Sequence, residues 1–323
     1  MKAIVRTRYG SPDVLKLEEV AKPVPGESQI LIRVHAASIN ASDLEGLGGK
    51  PLYARIDGPI RPRTKVLGSD VAGTVEAVGS AVEAFGPGDE VFGDILYHGA
   101  GAFAEYVCVS DSAPLVVKPA NLTFEQAATL PQAAVIALQG IADRVQGGSR
   151  VLVNGGGGGA GTFAIQMAKA AEAEVTAVDN EWKQEHMRAQ GADRVIDYRA
   201  EDYTQDEDRY DHILDLACHR SIFAIRRALA PNGRYAVVGG SVAGLLQAAV
   251  LGPLLGRKRR FGVLIVKPNK ADLARAAALV ATGGLRPIID RAYPLEDVAQ
   301  ALRYVGEGRA QGKVIISVHS TAA

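Results

Sequence analysis

The sequence predicts an α/β protein: a doubly wound parallel sheet of dinucleotide-binding type, inserted into a β-rich domain whose two pieces flank it. Three observations predict this. Val151-Leu152-Val153-Asn154 suits a buried strand, runs into five glycines at 155–159, and is followed through Ala160 and Gly161 by a stretch, 162–170, with apolar positions on one helical face. From about 150 to 266, strand-like and helix-like segments alternate, as crossover connections of a parallel sheet require. Before that region the chain reads as short strands between glycine and proline clusters, and after it comes one more strand, Gly312-Lys313-Val314-Ile315-Ile316-Ser317-Val318. The expected division is 1–122 with 267–323 for the β-rich domain and 123–266 for the nucleotide domain.

The elements follow in order. Met1-Lys2-Ala3-Ile4-Val5-Arg6 reads as a first strand and lacks the apolar core of a signal peptide. Strands are expected over 29–34, 71–78 and 103–109, with Gly86-Pro87-Gly88-Asp89 as a turn. Thr123, with Gln126 three residues on, has the pattern of a capping box opening a helix. Six strands then fall at 150–154, 174–178, 194–196, 212–216, 234–238 and 261–266, with helices that include 162–171, 182–190 and 220–229. A helix near 271–282 precedes the closing strand, which returns to the first domain.

Composition removes several classes of function. Lys plus Arg and Asp plus Glu both number 36, so a net charge of zero gives no electrostatic case for nucleic acid. Cys108 and Cys218 are the two cysteines, too few and too distant for a disulfide framework or a Cys-x-x-Cys metal knuckle. The apolar segment 242–256, followed by Arg257-Lys258-Arg259-Arg260, is too short to span a bilayer and is broken by Gly244, Gln247, Gly252 and Pro253. An interfacial membrane helix is the alternative for it; a buried helix or a homodimer surface is the expectation. A cytoplasmic protein with a small-molecule partner and no stable membrane insertion fits these features.

The glycine run carries the chemistry. Gly156, Gly158 and Gly161 fit G-x-G-x-x-G: one glycine for a tight turn, one for backbone approach to a pyrophosphate, one for strand–helix packing. Gly159 and Ala160 open the helix, whose N-terminus offers free N–H groups to phosphates. The next strand, Val175-Thr176-Ala177-Val178, ends in Asp179, an acid placed to accept adenosine ribose hydroxyls. A Rossmann-type dinucleotide site is therefore expected, with Asn180 and Lys183 beside Asp179. Val238-Gly239-Gly240-Ser241 closes a strand at its carboxyl end, where nicotinamide ribose contacts belong. Leu264, Ile265 and Val266 are expected on the nicotinamide side.

With both halves in view the chain resembles the medium-chain dehydrogenase/reductase superfamily, in particular its zinc-free quinone oxidoreductase branch. The marks run in order along almost the whole length: Lys2-Ala3-Ile4-Val5, the segment from Ala36-Ala37-Ser38-Ile39-Asn40 to Asp43, Gly68-Ser69-Asp70-Val71-Ala72-Gly73-Thr74-Val75, Pro87-Gly88-Asp89-Glu90-Val91-Phe92-Gly93, Gly101-Ala102-Phe103-Ala104-Glu105-Tyr106, the glycine loop, Gly191-Ala192-Asp193-Arg194-Val195-Ile196-Asp197-Tyr198 and Gly312-Lys313-Val314. The resemblance implies a GroES-like catalytic domain for the β-rich half and NAD(P)H as cofactor. Zinc-dependent relatives carry Cys and Gly-His-Glu where this chain has Asn40 and Gly68-Ser69-Asp70, so no metal is expected. No flavin motif is present, and none of the ten tyrosines has Lys four residues on, as the short-chain dehydrogenases require.

What the resemblance implies is direct hydride transfer to an electron-poor acceptor, a quinone or an α,β-unsaturated carbonyl. The alternative is a non-catalytic nucleotide-sensing or scaffold member of the same fold. Asn40 and Asp43, carried over by resemblance, are expected beside the nicotinamide, Asn40 as an amide donor. Tyr53 is a candidate proton donor or substrate contact, or else a packed loop aromatic. Tyr198 and Lys183 are expected to flank the adenosine. Asp179 favours NADH, because a carboxylate opposes a 2′-phosphate, whereas the resemblance implies NADPH; NADH is the expectation.

Overall fold

The computed structural model describes residues 1–206, 209–255 and 260–318. They form two compact units, one of Met1–Gln132, Pro268–Gly283 and Pro287–Ala323, the other of Ala133–Lys267 and Gly284–Arg286. The chain opens in the first unit with β1 (Lys2–Val5), β2 (Lys16–Glu19) and β3 (Gln29–Ser38), then α1 (Ala41–Gly48), β4 (Asp70–Val78), β5 (Glu90–Asp94), β6 (Tyr106–Ser110), β7 (Leu115–Val117) and α2 (Phe124–Ala128). β1 and β2 make an antiparallel pair, and β3 is the spine of the larger sheet. Eight of its ten residues are buried, and Ile30, Ile32, Val34 and Ala37 lie in the main core with Val71, Val91 and Phe103.

The expected break at 122/123 falls at 132/133. The capping box of α2 forms as the sequence predicts, with Thr123 Oγ1 accepting from Gln126 N–H and Gln126 Oε1 from Thr123 N–H. The helix nevertheless packs on the first unit: Phe124 stacks on His35 of β3 with ring centroids 4.2 Å apart. An aromatic contact 89 positions away in sequence decides which unit owns the helix, and no local pattern reports it.

The second unit holds α3 (Ala133–Ile141), β8 (Arg150–Asn154), α4 (Gly159–Ala170), β9 (Glu174–Asp179), α5 (Gln184–Ala189), β10 (Arg194–Asp197), β11 (Tyr210–Asp215), α6 (Ile222–Ala228), β12 (Leu229–Val237), α7 (Val242–Leu255) and β13 (Arg260–Val263). Its six strands are all parallel, in the order β10-β9-β8-β11-β12-β13. The order reverses between β8 and β11, so the glycine loop after β8 lies at the switch point where such sheets bind nucleotides. β13 is shorter than expected. Leu264 N–H still reaches Val237 O at 2.7 Å, but pairing ends there.

α7 is apolar on every side. Its buried face is made of Gly244, Ala248 and Gly252, which let it sit close: a Cβ at Gly252 would lie 2.9 Å from Phe261 Cβ, and one at Gly244 would collide with Cys218 Sγ. The opposite stripe, Val242, Leu246, Val250 and Leu254, is exposed, so the buried-helix expectation is half met. Of the basic run expected after it at 257–260, residues 257–259 lie outside the described residues, and Arg260 opens β13. Among the described residues no helix is long and apolar enough to cross a membrane.

The chain returns to the first unit through α8 (Lys270–Ala281), β14 (Ile289–Pro294), α9 (Val298–Gly306) and β15 (Lys313–Ser317). β15 pairs antiparallel with β3, Ile315 opposite Ser38, and closes the sheet β14-β15-β3-β4-β5-β7, to which β6 is joined through β3.

Candidate functional site

In the nucleotide unit the glycine loop is built as the sequence predicts, and each glycine has a separate reason. Gly155 has φ +86°, open to glycine and strained for other residues. A Cβ at Gly161 would collide with the Gly155 carbonyl, so this glycine permits the close strand–helix approach. Gly156 packs against Ala177, and a Cβ at Gly157 would strike Lys183. Gly158, the N-cap of α4, differs: a Cβ there meets only Gly155 O at 3.6 Å, and otherwise faces open space. Beside that space lie the N–H groups of Gly159, Ala160 and Gly161, which as the first turn of a helix have no intrahelical acceptor. Backbone donors around a face left open by a missing Cβ are the cradle a pyrophosphate needs, so the residues fit a dinucleotide.

Asp179 departs from expectation. Its Oδ2 accepts Gly157 N–H at 3.1 Å, and its Oδ1 accepts Asn180 N–H at 2.8 Å and Asn180 Nδ2 at 3.3 Å. Lys183 Nζ pairs with it at 3.3 Å, both side chains almost fully buried. The carboxylate is enclosed, neutralised and turned toward its own loop. It is a brace for the glycine loop, and neither the free ribose acceptor nor the bare negative charge that the preference for NADH rested on is present. Lys183 is likewise the buried partner of Asp179. Tyr198 follows β10, its N–H 3.3 Å from Asp179 O, and its ring tilts against His219 at 5.6 Å.

Val238 and Gly240 are held to the end of β11. Val238 N–H donates to Asp215 O, Cys218 N–H to Gly239 O and Ser241 N–H to Cys218 O. Beneath them Asp215 accepts Asn154 Nδ2 at 2.7 Å and Tyr235 OH at 2.9 Å, and burial pushes its carboxyl up from the usual range. This network, absent from the sequence reading, ties the last residue of β8 to β11 and β12 just before the glycine loop. Leu264 and Val266 are half-buried, and Ile265 is exposed.

The catalytic candidates belong to the other unit and do not form one group. Asn40 precedes α1, and its amide is fully engaged. Nδ2 donates to Ser69 Oγ at 3.1 Å and to Asp70 Oδ2 at 2.8 Å, while Oδ1 accepts from Lys313 Nζ at 2.6 Å. An amide has two N–H donors, so the donor role expected of Asn40 toward an acceptor is not available in this arrangement. Asn40 is instead the hub of a buried polar cluster. Lys313, on β15, also reaches Asp70 Oδ2 and Ile39 O, Ser38 Oγ donates to Asp70, and Asp43 Oδ2 accepts from Asn40 N–H at 2.9 Å and from Ser69 Oγ at 3.2 Å.

Asp43 is 1% exposed and its Oδ1 has no partner. Burial raises its carboxyl to about 7, and burial raises that of Asp94, with Asp70 nearby, to about 7 as well. Asp43 is thus a core residue, not a surface presented to a cofactor. Tyr53 is the reverse: 56% exposed, with its hydroxyl donating to Glu45 Oε2 at 3.2 Å. Burial of the hydroxyl, then Glu45, raises its pKa and keeps it protonated.

These residues do not fit a catalytic zinc. Such a site takes three ligands of the His, Cys or carboxylate type, and the positions concerned hold an amide, a hydroxyl and one carboxylate already bound to an ammonium. Among the described residues no group of three or more His, Cys, Asp or Glu is arranged to hold a metal ion.

Comparison with known proteins agrees with this architecture. Residues 26–120 match the family model described as alcohol dehydrogenase GroES-like domain, and residues 190–316 the one described as zinc-binding dehydrogenase. The chain is 36% identical over 328 residues to the 2-methylene-furan-3-one reductase of Solanum lycopersicum, covering 98% of this chain and 79% of that protein. It is 34% identical over 330 residues to the chloroplastic NADPH-dependent alkenal/one oxidoreductase of Arabidopsis thaliana, with the same coverage. Among solved structures, the quinone oxidoreductase from Coxiella burnetii superposes with a TM-score of 0.89 at 31% identity, over 99% of both chains. The ordered motifs, the inserted parallel sheet and these relatives together place the chain in the medium-chain dehydrogenase/reductase superfamily, among its quinone oxidoreductase-like members.

Proposed function

We propose that the chain is an NADPH-dependent reductase that delivers hydride to an α,β-unsaturated carbonyl or a quinone without a metal. The observation that carries this is the cradle at Gly158 and the first turn of α4, in a chain akin to proteins named for enone and quinone reduction. When bound, the reduced nicotinamide supplies the hydride. The protein's part is to hold the phosphates on the N–H groups of Gly159, Ala160 and Gly161, with Asp179 bracing the loop from beneath. NADPH is favoured over NADH because Lys183 already compensates the Asp179 charge.

On the other unit, Tyr53 presents a protonated hydroxyl beside exposed Leu52 and Ile56, an apolar surface suited to a conjugated carbonyl. Metal-free chemistry is supported by the Lys313 ammonium, which occupies the polar cluster with its own positive charge. Turnover of a panel of quinones and enones with NADPH and NADH tests the assignment. Activity should survive chelators undiminished, and elemental analysis should find no stoichiometric zinc. One zinc per chain, lost together with activity on chelation, contradicts the metal-free mechanism; binding of NADPH with no turnover of any acceptor favours the nucleotide-sensing alternative.

We also propose a homodimer in a reducing compartment such as the cytoplasm. The two thiols are unpaired. The exposed stripe on α7 lies beside β13, the edge strand of the six-stranded sheet, and an apolar stripe next to an open edge is a surface that a second copy can cover. Leu246→Glu with Leu254→Glu should convert a dimer to a monomer in light scattering. A wild type already monomeric at tens of micromolar defeats this.

A further inference from the structure

The charged groups around β9 and β10 fall into two sets. Most cations of this region are matched: Lys183 with Asp179, Arg194 with Asp206 and Glu201, Arg220 with Asp202 at 3.3 Å, Lys169 with Asp193 at 2.8 Å. Arg199 is not. It stands two residues beyond Asp197, which is register partner of Asp179, and is exposed. Its guanidinium lies 5.3 Å from the Trp182 ring centroid and 5.6 Å from that of Tyr198, and makes no ion pair among the described residues. The neighbouring Asp197 accepts the Arg199 backbone N–H at 3.0 Å, not the side chain.

This arrangement has a chemical meaning. Contact with two aromatic rings restrains the guanidinium while leaving its in-plane N–H donors available. Those donors match two oxygens of a phosphate monoester. Their place is past the carboxyl ends of β9 and β10, the side of the parallel sheet on which this fold binds its nucleotide.

We infer that Arg199, held by Trp182 and Tyr198, is the residue that recognises a phosphate on the adenosine ribose, and so selects NADPH. The inference rests on the dinucleotide reading above and assigns its cofactor preference to one side chain. Lys183, though nearer Asp179 in sequence, is already committed to that carboxylate and is almost fully buried. Arg199 supplies a positive charge that is still available.

The test uses binding, not turnover. Trp182 is the only tryptophan, so its emission reports on this position without labelling. The intact protein is titrated with 2′,5′-ADP, 3′,5′-ADP and 5′-AMP, by calorimetry and by Trp182 fluorescence, and NADPH and NADH are titrated by calorimetry. Wild type should bind 2′,5′-ADP more tightly than the other two nucleotides, and binding should change Trp182 emission. Arg199→Gln should weaken 2′,5′-ADP and NADPH about 10- to 100-fold, the range for losing hydrogen bonds to a charged group, and leave 5′-AMP and NADH within about twofold. Arg199→Lys should recover part of the loss, since charge returns without the planar fork.

Equal weakening of 2′,5′-ADP, 3′,5′-ADP and 5′-AMP would show a general electrostatic effect and overturn the assignment. So would unchanged 2′,5′-ADP binding in Arg199→Gln. In either case NADPH binding to wild type would leave the dinucleotide reading standing. A wild type that binds none of the five ligands removes both.

Discussion

Gly158→Val is expected to abolish dinucleotide binding while the protein stays folded. The backbone at 158 has φ −89° and ψ −178°, an extended conformation that valine adopts readily. A Cβ there touches only Gly155 O, at ordinary contact distance. The branched side chain therefore costs the fold little and fills the space beside the Gly159–Gly161 donors, where the pyrophosphate has to approach. An affinity loss of at least about 100-fold is expected, equivalent to about 2.7 kcal/mol, with an unfolding midpoint close to wild type. Gly161→Val provides the contrast. Its side chain would collide with the Gly155 carbonyl and must push the loop apart, so stability of the nucleotide unit should fall along with binding. Calorimetric titration with NADPH beside thermal melts separates the two effects. Near-normal affinity in Gly158→Val would place the phosphates elsewhere.

The contrast between these glycines marks what the sequence discloses. Strand, glycines, helix and acid are a local pattern within about thirty residues, and local patterns carry strand order and loop position well. The pattern does not say how Asp179 is used. Lys183 is four residues away, a spacing that permits an ion pair, but only the folded loop shows that Gly157 N–H and Asn180 occupy the remaining acceptor sites. The buried cluster is more remote still. Lys313 meets Asn40 across 273 positions, because β15 returns to pair with β3. The Gly312-Lys313-Val314 motif is visible as a motif; that its lysine is the counter-ion of Asp70 is a tertiary fact. On α7 the alternation of small and large residues at intervals of four was present in the sequence but masked by a segment in which nearly every residue is apolar.

That cluster leads to the second large effect, an opposed pH dependence of the two units. Asp43 and Asp94, both raised to about 7 by burial, bind protons in the folded first unit that an unfolded carboxyl near 3.9 releases. Their folded-state pKa is the higher one, so the stability associated with protonation is present at low pH and is lost as pH rises toward 7. His212 in the second unit has the opposite sign. Burial lowers it to about 4, and its neutral ring is 2.8 Å from Gly140 O, which accepts the Nε2 proton. Its contribution is present above the unfolded value near 6.5 and is lost as pH falls from there toward 4. Each group supplies on the order of 3–4 kcal/mol across its full window. Denaturant melts between pH 5 and 8 resolve the two, because Trp182 reports the second unit alone whereas far-ultraviolet circular dichroism reports both. Asp215 of the same unit, raised by burial, acts in the other sense, so the His212 part is read by difference: the wild-type Trp182 midpoint should fall further on acidification than that of His212→Gln. The transition seen only by dichroism should weaken as pH rises, and Asp43→Asn should flatten part of that slope, since a neutral amide has no proton to lose while its oxygen still accepts from Asn40 N–H. A wild-type dichroism transition that strengthens from pH 5 to 8 would mean that Lys313 holds the carboxylates ionised throughout, and that the cluster is an ion network and not a store of buried protons.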